Sequence, residues 1–101
     1  MEGTVLKEVY ELLRNIGAVA NEAEFSRDWL GRSEYYMRML RFKEVGASTG
    51  SVAICASKLQ HYGKRVFESS AHCELGKQFL QLSAECHNMI NEEAEVRWLA
   101  A

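Results

Sequence analysis

Residues 25–59 read FSRDWLGRSEYYMRMLRFKEVGASTGSVAICASKL, and the punctuation of this stretch decides the fold. Phe25, Trp29 and Leu30 recur at helical spacing and Gly31 follows them, the pattern of a short helix with one inward side and a glycine stop. Just upstream, Asn21 with Glu24 three residues later has the form of a capping box, which places the start of that helix. Ser33 is positioned to cap a further helix from about Glu34 to Glu44. Tyr36, Met39, Leu40 and the stem of Lys43 share one of its faces, and Tyr35, Arg38 and Arg41 lie on another. Gly46 is expected to end it. Ser48 or Thr49 then caps a helix whose Val52, Cys55, Ala56 and Leu59 stand at i, i+3, i+4 and i+7, with Gly63 as its expected stop.

Outward from this stretch the helical pattern continues. Thr4 is placed to cap a first helix carrying Val5, Leu6, Val9, Leu12, Leu13 and Ile16 as one apolar stripe, and Gly17 supplies a stop. From Lys64 onward the chain stays helical in pattern, while Ser69, Ser70 and Gly76 leave open whether it forms one helix or two. Leu75, Phe79, Leu82, Cys86, Met89 and Val96 follow each other at steps of 4, 3, 4, 3 and 7, a heptad-like seam in which Glu93 interrupts the apolar run. Such a seam packs on its own domain or on a second chain, and the second alternative makes these six residues the candidate dimer interface.

The composition agrees. The chain has 101 residues, 48% hydrophobic and 26% charged, and contains no Pro. The expectation is therefore a single all-α domain, 1–101, built as a compact bundle of about five helices. Residues 4–63 form its core and 64–101 a C-terminal extension, a long helix or a helix pair. No apolar run approaches the ~18 residues of a membrane span, and Met1-Glu2-Gly3-Thr4 lacks the basic-then-apolar layout of a signal peptide. Three cysteines, Cys55, Cys73 and Cys86, make an odd count that suits free thiols in a reducing compartment. A cytoplasmic protein with no membrane partner is expected.

A net charge of −2 conceals an asymmetry. Between Arg27 and Arg65 eight basic side chains face three acidic ones, a local balance of +5, and the remaining four basic and eleven acidic residues give −7. A basic middle on acidic flanks meets a polyanion locally while the rest of the molecule repels it.

Catalytic and metal chemistry find no support in the pattern. The His72-Cys73 and Cys86-His87 pairs have zinc-ligand identities, but neighbours on a helix diverge by about 100° and the two pairs lie roughly 20 Å apart along one helix, so they do not converge. His61 has no nucleophile or carboxylate placed to work with it, and no phosphate loop, nucleophile elbow or carboxylate pair is present. The expectation is a non-enzyme with no cofactor and no metal.

Residues 25–59 resemble the helix-turn-helix core of the phage-repressor-like, Cro and lambda-repressor type, DNA-binding domains. Phe25, Ser26, Trp29, Tyr36 and Met39 stand where that family carries its apolar and small anchors, and Gly46 to Leu59 follows its plan of loop, small cap and amphipathic helix. The turn departs from the family, which places Gly one position earlier than Gly31 and follows it with an apolar residue where this chain has Arg32. The string WLGRS-x-x-Y-x-x-x-LR is also similar to a group of small bacterial proteins of unknown function.

The resemblance implies a recognition helix that presents Arg32, Ser33, Glu34, Tyr35, Arg38 and Arg41 to double-stranded DNA, with Arg27, Lys43, Ser48, Thr49 and Lys58 as phosphate contacts. The function it implies is a small transcriptional regulator acting as a homodimer, two recognition helices standing about one DNA turn apart, roughly 34 Å. The contrasting expectation is a helical protein-interaction module, an adaptor or inhibitor without DNA binding. It is motivated by the acidic flanks and by Tyr35, Phe42 and Tyr62, aromatic residues surplus to the core.

Overall fold

Asn21 starts the local logic as expected. Its Oδ1 accepts from the Glu24 backbone N–H at 3.0 Å and opens a helix over Glu22–Trp29. In this computed structural model, which describes residues 2–100 and side chains from Val5 to Ala100, five α-helices follow in order. They are α1 (Glu2–Asn15), α2 (Glu22–Trp29), α3 (Tyr36–Lys43), α4 (Thr49–Phe67) and α5 (Cys73–Ala100), with a single 3-10 turn at Ser70–His72 ahead of α5. The described residues contain no strand, so the fold is the all-α bundle that the composition requires.

The core is continuous. Leu6, Val9 and Leu13 of α1 share one cluster with Phe25 of α2 and Leu30 just past its end, Val52, Cys55 and Leu59 of α4, and Phe79 and Cys86 of α5. All three cysteines are free thiols. Every buried side-chain nitrogen or oxygen among the described residues has a hydrogen-bond partner, as the cost of stranding a polar group in apolar surroundings demands.

The most extensive helix contact joins α4 and α5, which run antiparallel along the 47 Å long axis of the molecule. Small residues set their separation. The buried Ser83 hydroxyl donates to the Ala56 carbonyl at 2.7 Å, and Gly63 faces Phe79 and Leu80 so closely that a Cβ there would sit 3.0 Å from the Phe79 Cβ. At the turn, Gly76 lies against Phe67, whose backbone would stand 2.5 Å from an added Cβ. Gly63 is therefore not the stop of α4. It lies buried inside a helix that runs on to Phe67, because the partner helix needs the space a side chain would fill. Gly76 is likewise interior, and α5 is one helix of 28 residues.

Several boundaries differ from expectation for local reasons. α1 begins at Glu2, ahead of Thr4, whose side chain lies outside the described residues. Ile16 lies beyond α1 and is exposed, while Val19 enters the core in its place. Gly31 ends α2 with φ +64°, and the Arg32 N–H reaches back to the Ser26 carbonyl at 3.0 Å.

Helix α3 starts at Tyr36, two residues later than a Ser33 cap would place it. Ser33 offers only its carbonyl, which accepts from the Tyr36 N–H at 3.1 Å. A free donor of the first turn, the Met37 N–H, is instead satisfied by the buried Ser26 hydroxyl of α2 at 3.3 Å. At its other end Glu44, with φ +53°, takes the left-handed position expected of Gly46.

The heptad-like seam of α5 faces inward. Phe79 and Cys86 are buried in the domain's own core, and Leu75, Leu82 and Met89 pack partly against it. Phe79 and Cys86 are closed to a second chain, Leu75, Leu82 and Met89 stay half-buried, and of the six Val96 alone is exposed, at 69%.

Candidate nucleic-acid interface

A network around the start of α4 fixes the position of α3. Ser48 caps α4, its Oγ accepting from the Ser51 N–H at 3.3 Å, and its own backbone N–H donates to the Tyr36 hydroxyl at 2.8 Å. The Arg32 guanidinium closes the arrangement by donating from Nε to Ser51 Oγ at 2.8 Å and from Nη2 to Ser48 Oγ at 2.6 Å, while lying over the Tyr36 ring. Burial raises the Tyr36 phenol, but the Ser51 and Ser48 hydroxyls, the Ser48 N–H and the Arg32 charge outweigh it and hold the group below its ordinary range. Tyr36→Phe should consequently cost about 1–2 kcal/mol in thermal or chemical unfolding, because the Ser48 N–H loses its acceptor. An ultraviolet alkaline titration should find one tyrosine that ionises early in the native protein and is missing from the variant.

Held in this way, α3 buries Tyr36 and Met37 and turns its opposite side outward. Tyr35, Arg38 and Phe42 form the exposed stripe at i, i+3 and i+7, beside Arg41, and the exposed Val45 follows the left-handed Glu44 past the end of the helix. Helix α3 carries three basic residues, Arg38, Arg41 and Lys43, and no acidic one. Arg41 is paired with Glu22 of α2, and this carboxylate, by hydrogen bond and by charge, raises the guanidinium's pKa still further. Arg38 and Lys43 make no ion pair among the described residues.

The eleven sequence-derived candidates thus separate. Tyr35, Arg38 and Arg41 come together on the outer side of α3, Lys43 is exposed at its last position on the Tyr36 and Leu40 side, and Ser48 and Thr49 stand at the start of α4 beyond its C-terminal loop. Ser33 and Glu34 lie in the connecting turn and not on α3. Arg27 reaches Glu34 at 3.4 Å across that turn. Arg32 is committed to Ser48 and Ser51. Lys58 is turned back onto the domain, its Nζ bonded to the Asp28 carbonyl and 4.7 Å from the centre of the Trp29 ring. The structural roles of Arg32 and Lys58 join residues 16 to 30 positions apart, a separation with no periodic signature.

Sequence reasoning missed Met37 as a core residue, Ser26 as the tertiary cap of α3, and Val45 as an exposed apolar residue just past its end. Of the surplus aromatics, Phe42 is 87% exposed, Tyr35 60% and Tyr62 41%. No group of three His, Cys, Asp or Glu side chains among the described residues could hold a metal ion, and no helix among them is long and apolar enough to cross a membrane.

A family model described as a family of unknown function, DUF6626, matches residues 6–99. No curated protein matches the chain, and no solved structure does.

Proposed function

The chain belongs to the DUF6626 family, described as one of unknown function, and from the geometry of α3 we propose that it is a DNA-binding helix-turn-helix protein, a small transcriptional regulator whose α3 enters the major groove. The observation that carries this reading is the outer side of α3, where Arg38 and Arg41 stand on a short helix that contains no acidic residue and is anchored from behind by Tyr36, Ser26 and Arg32. A major groove about 12 Å wide admits one such helix, and Arg38 has the donor fork that pairs with guanine O6 and N7. Thr49 and the Ser48 corner lie on the next element, where phosphates flank a docked helix. Pairing of Glu22 with Arg41 and of Glu34 with Arg27 offsets two of the acidic residues near this surface, and Glu44 at the end of α3 stays without an ion pair among the described residues.

Selection from a randomised duplex pool tests the proposal. Enrichment of a short, often two-fold symmetric motif is the expected result, and a protein that retains no duplex contradicts it. A homodimer belongs to the same reading, with its contact at the exposed end of α5, where Val96, Trp98 and Leu99 are 65–69% accessible. Glu22→Gln should tighten duplex binding about two- to fivefold at low salt, since it frees Arg41 from a surface ion pair of at most ~1 kcal/mol. Unchanged affinity in an anisotropy titration would remove Arg41 from the contact surface.

The exposure of Phe42 and Val45 favours a second reading, a protein-interaction module that uses this same side of α3. It differs in salt response, because an interface built on apolar side chains does not release condensed counterions.

A further inference from the structure

The side chain that the fold accounts for least is Phe42. At 87% exposure it is the most accessible large apolar group among the described residues, and it lies on the basic helix rather than at a chain end. It follows Arg38 by four residues, so the two share one side of α3 about 6 Å apart along the axis, a distance equal to one or two base-pair steps. The company it keeps restricts what can cover it. Arg38 and Arg41 would both have to be desolvated by an apolar protein partner, whereas a polyanion with an apolar spot at that depth satisfies both kinds of group. In the major groove that spot exists on one base alone, the C5-methyl group of thymine.

We propose that Phe42 is a specificity-determining residue that packs on a thymine methyl one or two base pairs from a guanine read by Arg38. The inference rests on the DNA-binding reading above and adds to it which base pair is recognised, and by what contact.

The test replaces each thymine of the selected duplex, one at a time, by deoxyuridine, which removes the methyl and leaves every hydrogen-bonding group in place. Affinities are measured by anisotropy for the wild type, Phe42→Ala and Phe42→Leu, with far-UV circular dichroism confirming equal helicity. The wild type should lose about fourfold at one thymine position, the worth of burying a single methyl group. Phe42→Ala should bind the thymine and uracil duplexes equally, and Phe42→Leu should keep part of the preference. Equal binding of every substituted duplex by the wild type overturns the proposal while leaving DNA binding intact. Retention of both affinity and thymine preference by Phe42→Ala overturns it too and leaves Phe42 to a protein partner. Failure to bind any duplex removes this inference together with the reading beneath it.

Discussion

Gly76→Ala is expected to destabilise the protein by about 2–3 kcal/mol, lowering Tm by roughly 10–20 °C for a domain of this size. On propensity alone the change should help, since alanine is favoured over glycine inside a helix by about 1 kcal/mol. Packing reverses the sign. The added Cβ would stand 2.5 Å from both the Cα and the N of Phe67 and 2.8 Å from its Cβ. Backbone atoms have no rotamer to change, so α5 must move off α4 just after the turn that joins them. That shift would also strain the buried bond from Ser83 to Ala56 further along the same contact. Gly50→Ala is the matching control, because it lies in the first turn of α4 with nothing within 4 Å of an added Cβ. It should be neutral or slightly stabilising. Calorimetry on the two variants separates the effects, and a rise in Tm for Gly76→Ala would contradict the close crossing of α4 and α5.

The second large effect concerns function. Arg38→Ala combined with Arg41→Ala should weaken duplex binding about a hundredfold or more, with far-UV helicity unchanged. Arg38 provides most of this, since a bidentate guanine contact is worth about 1–3 kcal/mol. Arg41 provides less, because its Glu22 partner already competes for it. The salt slope should fall by about one for each lost phosphate neutralisation. Lys64→Ala with Arg65→Ala removes the same charge near the end of α4, away from the outer side of α3, and should cost only the small loss expected from net charge. Equal losses for the two double variants would mean that binding follows overall charge and that α3 has no special place in it.

Much of this architecture was legible because its signals are local. The Asn21 and Ser48 caps, the Gly17 and Gly31 stops, and the Val52, Cys55, Ala56 and Leu59 stripe each depend on residues within a turn or two of one another. Gly63 and Gly76 show where local reading ends. A glycine that stops a helix and a glycine that admits a neighbouring helix look alike along one chain, and only the position of the partner distinguishes them. The seam of α5 stays open between the domain and a second chain for the same reason, since its spacing is right for any helical partner, and only the fold shows that Phe79 and Cys86 are buried in the domain's own core.

At the candidate site, the exposed side of α3 could be read from the 3.6-residue period. The engagement of Arg32 with Ser48 and Ser51, and of Lys58 with Asp28 and Trp29, could not, because those contacts are made by loops and tertiary packing. Two of the basic residues that suggested a polyanion surface are therefore structural, and the reading now rests on fewer cations held in a better defined place.

Fluorescence anisotropy of the purified protein with duplex DNA, titrated from about 50 to 200 mM salt, tests the central claim most directly. Saturable binding that weakens steeply across this range is expected, the logarithm of affinity falling by about 0.9 per decade of salt for each phosphate neutralised. Absence of binding at the lowest salt, or an affinity indifferent to salt, would contradict a DNA-contacting α3 surface.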